Sequence, residues 1–379
     1  MGVLGIGVIG CGNIAGTYLR NAALFPGVEL RACADLSPDA SRRRAEEFGI
    51  RSLSVDALLC ADDVDLVLNL TVPNAHFDIT MAALNARKHV FTEKPLATTA
   101  GQGRRLVEEA RRLKRVLGSA PDTFLGAAGR LARRLVDEGS IGTPLVGTAF
   151  MMTRGMEHWH PNPAFYYQPG GGPVLDMGPY YLTMLVNLLG PVRLVTALAA
   201  TGAPERTITA PGPLFGTTFP VDTATTVSAV LRFAGGALVT VVMSWDVFRH
   251  GNPPIELHGT EGSLRLPDPD TFGGTVGIST LGGAWRDIAT DSSLHGVANW
   301  PFTAPDRANY RMLGVAELAQ SLATGAPPRA SGDLALHVLE VMEAMLQAAA
   351  SGSSIEIEAG VERPAALPEA DAQALMKGS

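Results

Sequence analysis

Short apolar runs alternate with amphipathic stretches over about the first 118 residues of the chain. The apolar runs read GVIG, VELRACAD, VDLVLNLTV and KHVFTE, and the stretches after them read NIAGTYLRNAAL, SPDASRRRAEEFG, NAHFDITMAALNA and TTAGQGRRLVEEARRLK. The runs predict buried strands and the stretches predict helices. Asn13 can cap the first helix, Ser37 with Pro38 can open the second, and Asn74 can start the third. This alternation predicts a parallel sheet with crossover helices.

The pattern changes beyond about residue 144. Long strand-like runs such as DTATTVSAVLRFA and GALVTVVMSWDVF are joined by glycine-rich turns, which is typical of antiparallel sheet. Helical periodicity returns over residues 310–323 and 333–349, and we expect these helices to pack back against one of two domains. The predicted fold is α/β plus α+β, with a doubly wound parallel sheet in residues 1–120 and an open, mostly antiparallel sheet domain in residues 121–379.

The composition is that of a folded globular protein. Of its 379 residues, 46% are hydrophobic and 18% are charged, and 30 basic against 37 acidic residues give a net charge of −7. A chain with net negative charge repels a phosphate backbone, so we expect no nucleic-acid partner. The richest apolar stretch, residues 182–200, is interrupted by Asn187, Pro191 and Arg193, so we expect no membrane partner.

The amino terminus and the cysteines indicate the compartment. The first residues, MGVLGIGVIGCGN, have no basic lead and are typical of a buried strand instead of a secretion signal. Cys11, Cys33 and Cys60 have no CxxC spacing, which fits three packing residues in a reducing compartment and excludes a disulfide framework. We therefore expect a cytoplasmic protein.

A glycine-rich turn connects the first predicted strand to the first predicted helix. The turn reads Gly10-Cys11-Gly12-Asn13-Ile14-Ala15, a GxGxxG/A pattern. Without side chains, Gly10 and Gly12 let the backbone approach a pyrophosphate, which free N–H groups of the helix then bind. Asp35 ends the second strand, where a carboxylate would accept hydrogen bonds from ribose hydroxyls and repel a 2′-phosphate. An unrelated glycine turn is the alternative, but the context predicts a Rossmann domain that binds NAD in preference to NADP, although basic residues 42–44 would soften that preference.

Four segments in order resemble the glucose-fructose oxidoreductase, inositol dehydrogenase and rhizopine catabolism family (Gfo/Idh/MocA). They are the glycine turn and the segments TVPNAH from residue 71, EKP from residue 93 and GGGPVLDMGPY from residue 170. The resemblance implies a nicotinamide bound between the two domains and a sugar or polyol site in the cleft. It also implies a homo-oligomer, a dimer or tetramer, paired through the large sheet, and apolar residues 227–242 are consistent with strands buried on both faces.

The resemblance places three residues in catalytic positions. Lys94 matches the family's catalytic lysine, Asp176 its acidic helper, and Tyr180 the position usually held by a histidine. Tyrosine has a pKa near 10, so it needs help as a proton acceptor, and we expect the charge of Lys94 to lower that pKa. Spacing of four residues places Asp176 and Tyr180 on one helix face, although Pro179 predicts that the helix starts late or kinks. A helix-terminal carboxylate and a core aromatic are the structural alternatives for Asp176 and Tyr180, and a surface lysine is the alternative for Lys94.

Further residues are assigned by the same resemblance. The cofactor set comprises Gly10, Gly12, Asn13, Ile14, Asp35, Thr71, Pro73, Asn74, His76, Glu93 and Lys94, with His76 beside the nicotinamide. Trp159, His158 and His160 are candidates for substrate binding, with a structural loop as the alternative. Glu157 next to these histidines also raises the possibility of a metal site, but the spacing is not that of a helix-borne zinc site and we expect no metal. Asp122 either contacts substrate or caps a helix starting at Thr123.

These observations together predict an NAD-dependent oxidoreductase that acts on a secondary hydroxyl or ketone of a sugar, cyclitol or glycoside. Two alternatives remain open. One is a non-catalytic, NAD-binding sugar-sensing regulator. Tyrosine at position 180, where the family usually has a histidine, is compatible with this alternative. The other is a glycosidase or eliminase that oxidises one sugar carbon transiently to permit cleavage elsewhere.

Overall fold

A computed structural model of the chain describes residues 3–281, 283–299, 307–358 and 360–376. The first domain contains a parallel sheet in the order β3-β2-β1-β4-β5-β6. Its strands are β1 (Leu4–Ile9), β2 (Val28–Ala34), β3 (Arg51–Ser52), β4 (Leu66–Asn69), β5 (His89–Thr92) and β6 (Leu117–Ser119). The aliphatic residues of β1 and β4 are almost entirely buried, as expected for strands covered on both faces. The strand order reverses between β1 and β4, and ligands bind at such a point in doubly wound sheets.

The crossover helices of the first domain are α1 (Ala15–Ala22), α2 (Pro38–Phe48), α3 (Val55–Leu59), α4 (Pro73–Asn85) and α5 (Ala100–Leu113). Ser37 caps α2 by accepting a hydrogen bond from the amide of Ala40. Two predicted helix starts are wrong. Asn13 does not cap α1, whose first turn follows Ile14 without a side-chain cap, and α4 begins at Pro73, one residue before Asn74.

A larger sheet forms the second domain, in the order β16-β15-β14-β13-β7-β12-β11-β8-β17. Its neighbours are antiparallel except for β12 and β7, which confirms the predicted open, mostly antiparallel sheet. The strands are β7 (Pro144–Met152), β8 (Val192–Ala200), β9 (Glu205–Thr207), β10 (Thr218–Pro220), β11 (Thr226–Phe233), β12 (Leu238–Ser244), β13 (Ile255–Gly259), β14 (Gly262–Leu266), β15 (Thr275–Thr280), β16 (Arg286–Ala289) and β17 (Ile355–Glu356), of which β9 and β10 form a separate hairpin.

Helices cover one face of this sheet and leave the other open. The helices of this part are α6 (Ala127–Asp137), α7 (Pro173–Leu189), α8 (Leu313–Thr324), α9 (Gly332–Ser351) and α10 (Glu369–Ala374). Helix α7 packs on β7, β11 and β12, while α9 packs on β8. Residues in β11 and β12 alternate between buried and exposed, so within one chain these strands are buried on one face. The open face carries exposed Leu198, Val230 and Leu238.

The C-terminal helices join the two domains. Helix α8 contacts β2 and β6 of the first domain, and α9 packs against α5, where Gly103 allows close approach of Leu336 and Leu339. Helix α9 has the length and apolar composition of a membrane span, but half of it is buried inside the protein. Of the cysteines, Cys11 and Cys33 are packing residues as predicted, whereas Cys60 is exposed and is not.

Candidate active site

The glycine turn leaves room for a ligand at the switch point of the first sheet. Gly10 has φ +101°, and a Cβ there would lie 2.5 Å from the carbonyl of Leu70, so only glycine fits. Gly12 is exposed, and a Cβ at this position would have nothing within 4 Å. The first turn of α1 receives no cap from a side chain in the described part of the protein. The amides at such a helix start are the groups that would bind a pyrophosphate.

Asp35 is fixed beside this turn. Its Oδ2 accepts a hydrogen bond from the Cys11 amide at 2.7 Å, and its Oδ1 accepts one from the Ser37 amide at 2.8 Å. An ionised carboxylate has further lone pairs, so both bonds leave acceptor capacity for ribose hydroxyls. The turn and Asp35 therefore fit an adenine dinucleotide.

Basic residues near the turn already have acidic partners. Arg42 pairs with Asp39, and Arg44 pairs with Glu47 at 2.6 Å. Arg44 also donates to the carbonyl of Gly12 at 3.3 Å, which places a guanidinium next to the turn. The charge of Asp35 therefore repels a 2′-phosphate. Arg44 lies close to the turn, but Glu47 partly neutralises its charge.

Lys94 and Asp176 meet across the interface of the two domains. The ammonium of Lys94 donates to Oδ1 of Asp176 at 2.9 Å and to its carbonyl oxygen at 2.7 Å. Both side chains are about one-fifth exposed. Burial opposes the charge on Lys94, but the carboxylates of Asp176 and Glu93 outweigh it and raise the pKa of the ammonium. Lys94 is therefore a firmly protonated group at the cleft.

Tyr180 lies one turn beyond Asp176 and is nearly buried. The ammonium of Lys94 is 5.3 Å from the centre of the Tyr180 ring. The expectation of a lowered pKa for Tyr180 is wrong, because burial and the carboxylate of Asp270 together raise that pKa well above its usual value. Lys94 does act in the expected direction, but its effect is smaller than that of burial. The resting side chain is a neutral phenol.

Helix α7 runs from Pro173 through Pro179 to Leu189, so the helix does not start late. Pro179 has no amide proton for the carbonyl of Leu175. In the same turn the carbonyl of Asp176 accepts a hydrogen bond from Lys94. The spacing of four residues places Asp176 and Tyr180 on the side of α7 that faces Lys94.

Two residues assigned to the cofactor are instead used by the protein itself. His76 is fully buried, with Nδ1 2.6 Å from the carbonyl of Pro95 and Nε2 2.9 Å from that of Thr71. Glu93 is also buried, accepting from the hydroxyl of Tyr18 at 2.9 Å and from the amide of Lys94 at 2.8 Å. Both hold the loops around Lys94, and both are buried.

The other cofactor candidates are at least partly exposed. Asn13, Pro73 and Asn74 are exposed, and Ile14 and Thr71 are partly exposed. Pro73 and Lys94 line one wall of a cleft between the two domains. The opposite wall contains Asp176, Phe165 and Tyr166. The aromatic pair was not predicted, although its place just before the glycine run could have suggested it.

Asp122 does not contact the cleft. The side chain is 1% exposed, and its Oδ2 accepts from the amides of Met312 at 3.3 Å and Gly314 at 2.9 Å. It therefore caps the start of α8, not the 3₁₀ turn Thr123–Leu125 that directly follows it. Burial raises the pKa of Asp122 to about 6. The predicted substrate contact is wrong because the carboxylate is enclosed.

The loop before α7 presents aromatic groups beside the cleft. Trp159 is 54% exposed and packs edge-on against His160, whose ring also contacts Phe165 and Tyr166 of the cleft wall. His158 is partly exposed, with its Nδ1 buried and without a partner in the described residues.

Glu157, which could have joined these histidines at a metal, is instead paired with Arg206 at 2.9 Å and with the Tyr167 hydroxyl. The described residues contain no group of three histidine, cysteine or acidic side chains suited to a metal ion.

Two charged residues near Tyr180 were missed by sequence reasoning. Arg311 donates to the Tyr180 hydroxyl at 3.3 Å and pairs with Asp270 at 2.6 Å. Neither residue belongs to a motif, and both come from loops far from Tyr180 in the chain. No local pattern could have identified them.

Comparison with known proteins agrees with this geometry. The profile described as "Oxidoreductase family, NAD-binding Rossmann fold" matches residues 4–120, and the GFO/IDH/MocA C-terminal domain matches residues 130–265. A dTDP-3,4-didehydro-2,6-dideoxy-alpha-D-glucose 3-reductase of Streptomyces violaceoruber is 32% identical over 91% of this chain and 95% of its own. A 1,5-anhydro-D-fructose reductase of Ensifer adhaerens is 28% identical over 94% of this chain and 99% of its own.

A solved structure extends the comparison to the fold. A levoglucosan dehydrogenase in complex with NADH and L-sorbose superposes with a TM-score of 0.79 at 23% identity, covering 94% of this chain and 100% of that one. The two domain profiles and the full-length relatives lead to one conclusion. The chain belongs to the Gfo/Idh/MocA oxidoreductase family and consists of an NAD-binding Rossmann domain followed by the C-terminal domain of that family.

Proposed function

We propose that the chain is an NAD-dependent oxidoreductase that interconverts a secondary hydroxyl and a ketone on a sugar, cyclitol or glycoside. One observation carries this proposal: Lys94 of the nucleotide-binding domain contacts Asp176 and the ring of Tyr180 in the second domain. The relatives named above are sugar reductases and a sugar dehydrogenase, which supports this substrate class.

Tyr180, Lys94 and Asp176 would have different roles at the reacting carbon. When bound, the nicotinamide supplies the hydride acceptor or donor. Tyr180 would exchange the hydroxyl proton with the substrate oxygen, and Lys94 would stabilise the negative charge that develops on that oxygen. Asp176 holds the ammonium of Lys94 in place and offers an acceptor to a neighbouring substrate hydroxyl.

The raised pKa of Tyr180 bears on the direction of the reaction. A phenol that stays protonated at neutral pH is ready to give its proton to the oxygen of a ketone as the hydride arrives. In oxidation the phenol must first lose that proton. The phenol can therefore act as the acid in ketone reduction at neutral pH, and the rate of alcohol oxidation should rise with pH.

The rim supplies the remaining contacts in this proposal. Gly10, Gly12, Asn13, Ile14 and Asp35 would bind the dinucleotide, and Thr71, Pro73 and Asn74 would border it on the facing loop. Trp159 would pack against the sugar ring, with His158 and His160 donating or accepting hydrogen bonds. Because Asp35 faces the ribose site, NAD is preferred to NADP.

The open face of the large sheet supports a homo-oligomer. Leu198 of β8, Val230 of β11 and Leu238 of β12 lie on this face and are 73%, 44% and 45% exposed. Three apolar side chains on one uncovered sheet face are typical of a protein interface. Light scattering behind size-exclusion chromatography would give a dimer or tetramer, and a Leu198→Glu variant would give a smaller species. The free cysteines further support a reducing, cytoplasmic setting.

A substrate screen tests the activity. Sugars, inositols, glycosides and their keto forms are incubated with NAD⁺ or NADH, nicotinamide absorbance is followed, and Lys94→Ala and Tyr180→Phe are run in parallel. Net NADH change with loss of activity in both variants supports the proposal. Cleaved product without net NADH change would identify the glycosidase or eliminase, and NADH binding without any turnover would identify a regulator.

A further inference from the structure

We propose that Arg311 is a positioning residue for Tyr180, holding the phenol oxygen and stabilising the phenolate that forms when the proton is transferred. This inference rests on the proposed oxidoreductase function and adds to it a residue outside the motifs of the chain. It also explains how a tyrosine can act where a more acidic proton carrier would be expected.

The contact between the two side chains has a defined direction. Nη2 of Arg311 lies 3.3 Å from the hydroxyl oxygen of Tyr180, and the guanidinium carbon is 6.0 Å from the ring centre. Arginine has no acceptor atom, so the guanidinium donates and the phenol oxygen accepts. The hydrogen of the phenol must therefore point to another partner, and within the described residues the structure provides none. That hydrogen is left for a substrate oxygen.

In the described part of the chain, two cations and two carboxylates act on the phenol. Lys94 and Glu93 approach from the end of β5, Asp270 from the loop after β14, and Arg311 from the residues before α8. Burial and the two carboxylates favour the neutral phenol, whereas Arg311 and then Lys94 favour the phenolate. Asp270 also pairs with Arg311 at 2.6 Å, so the charge of Asp270 acts on both Tyr180 and Arg311. Beyond Arg311 lie Tyr18 and Asp122, both enclosed.

The backbone around Arg311 is held in an unusual conformation. The next residue, Met312, is fully buried with φ +110°, a region that side chains other than glycine seldom adopt. Asp122 holds this strained residue by accepting from the amides of Met312 and Gly314. Asn21 adds a hydrogen bond to the carbonyl of Arg311 at 3.0 Å. These three hydrogen bonds fix the backbone segment from which Arg311 reaches Tyr180. Backbone strain of this kind is concentrated at functional sites.

A titration of Tyr180 tests this role directly. The chain is produced with trifluorotyrosine, whose phenol is more acidic than that of tyrosine, and fluorine spectra are recorded across pH. The signal of residue 180 is assigned by its loss in Tyr180→Phe. Removing the cation in Arg311→Gln should raise the midpoint by about one pH unit, Arg311→Lys should raise it less, and Asp270→Asn should lower it.

Activity gives the second measurement, with the substrate that the screen identifies. In Arg311→Gln, kcat/KM should fall about tenfold to a hundredfold and its alkaline limb should move in the same direction as the midpoint. NADH binding should stay within about threefold of the parent, which shows that the variant is folded. Arg104→Gln, which removes an exposed guanidinium paired with Glu340, is the matched control and should leave the midpoint in place.

The titration and the substrate screen test the role of Arg311 and the oxidoreductase activity separately. An unchanged midpoint in Arg311→Gln, or an equal shift in Arg104→Gln, would overturn the role of Arg311 even if the enzyme turns over sugars. If the screen finds no substrate, the oxidoreductase proposal fails, while the titration still reports whether Arg311 controls the phenol.

Discussion

The ammonium of Lys94 is bound by both the carboxylate and the main-chain carbonyl of Asp176, at 2.9 and 2.7 Å. Lys94 comes from the loop after β5 and Asp176 from the first turn of α7, so this pair connects the nucleotide-binding domain to the second domain. A partly buried, charge-assisted hydrogen bond of this kind holds both charged groups in place. The cleft therefore has a preset positive group beside the place where the glycine turn would bring a cofactor.

The first prediction concerns the nucleotide. Replacement of Asp35 by asparagine removes the charge that opposes a 2′-phosphate but retains an oxygen for the Cys11 or Ser37 amide. NADH should bind about tenfold more weakly, and the preference for NADH over NADPH should fall by a similar or larger factor. Nicotinamide fluorescence titration gives both dissociation constants.

Asp39→Asn is the control for this change, because Asp39 is a neighbouring exposed carboxylate at the start of α2 that pairs with Arg42. It should leave both constants unchanged. An Asp35→Asn variant with the parent preference for NADH would show that another group, such as Arg44, sets the choice of cofactor.

The second prediction concerns stability and pH at Asp122. Burial raises the pKa of this carboxyl from 3.8 to about 6, so the folded chain retains a proton that the unfolded chain releases between these values. Stability from this group is therefore fully present below about pH 4 and is lost as pH rises through about 6, by up to about 3 kcal/mol. In Asp122→Asn that loss should be absent.

Urea unfolding at pH 4.5 and pH 7 measures the effect. At each pH, the free energy of unfolding of the parent is subtracted from that of Asp122→Asn. This difference should be higher at pH 7 than at pH 4.5 by roughly 1–3 kcal/mol. A difference that does not change with pH would mean that Asp122 stays ionised in the folded protein.

The third prediction concerns the aromatic loop. Trp159→Ala should raise the KM for the sugar about tenfold while kcat stays within about twofold, because a ring that packs on substrate contributes to binding more than to chemistry. Trp285→Ala is the control, since Trp285 is also partly exposed but stacks on Arg265 at the far edge of the large sheet. Equal KM values in Trp159→Ala and the parent would show that the loop is only structural.

The sequence predicted those parts of the site that depend on local spacing. The glycine turn with Asp35 follows from a strand, a turn and a helix in succession, and the Lys94 and Asp176 positions follow from short motifs. The shared helix face of Asp176 and Tyr180 follows from their separation of four residues. By contrast, β3 and α3 span two and five residues, too short for a periodic pattern to mark them.

Other parts of the site depend on contacts between distant segments. His76 and Glu93 lie in recognised motifs, but only the folded chain shows that the His76 ring lies between the carbonyls of Thr71 and Pro95. It also shows that Glu93 accepts from the hydroxyl of Tyr18. The pKa of Tyr180 could not be predicted from Lys94 alone, because burial by the surrounding helices outweighs one nearby charge.

The most direct measurement is a single turnover of the cofactor-saturated protein with the substrate from the screen, followed by nicotinamide absorbance in the parent, Lys94→Met and Tyr180→Phe. We predict that each variant slows hydride transfer by about 10²–10⁴-fold, with NADH affinity close to that of the parent. Equal single-turnover rates in all three proteins would contradict the claim that Lys94 and Tyr180 act together on the reacting oxygen.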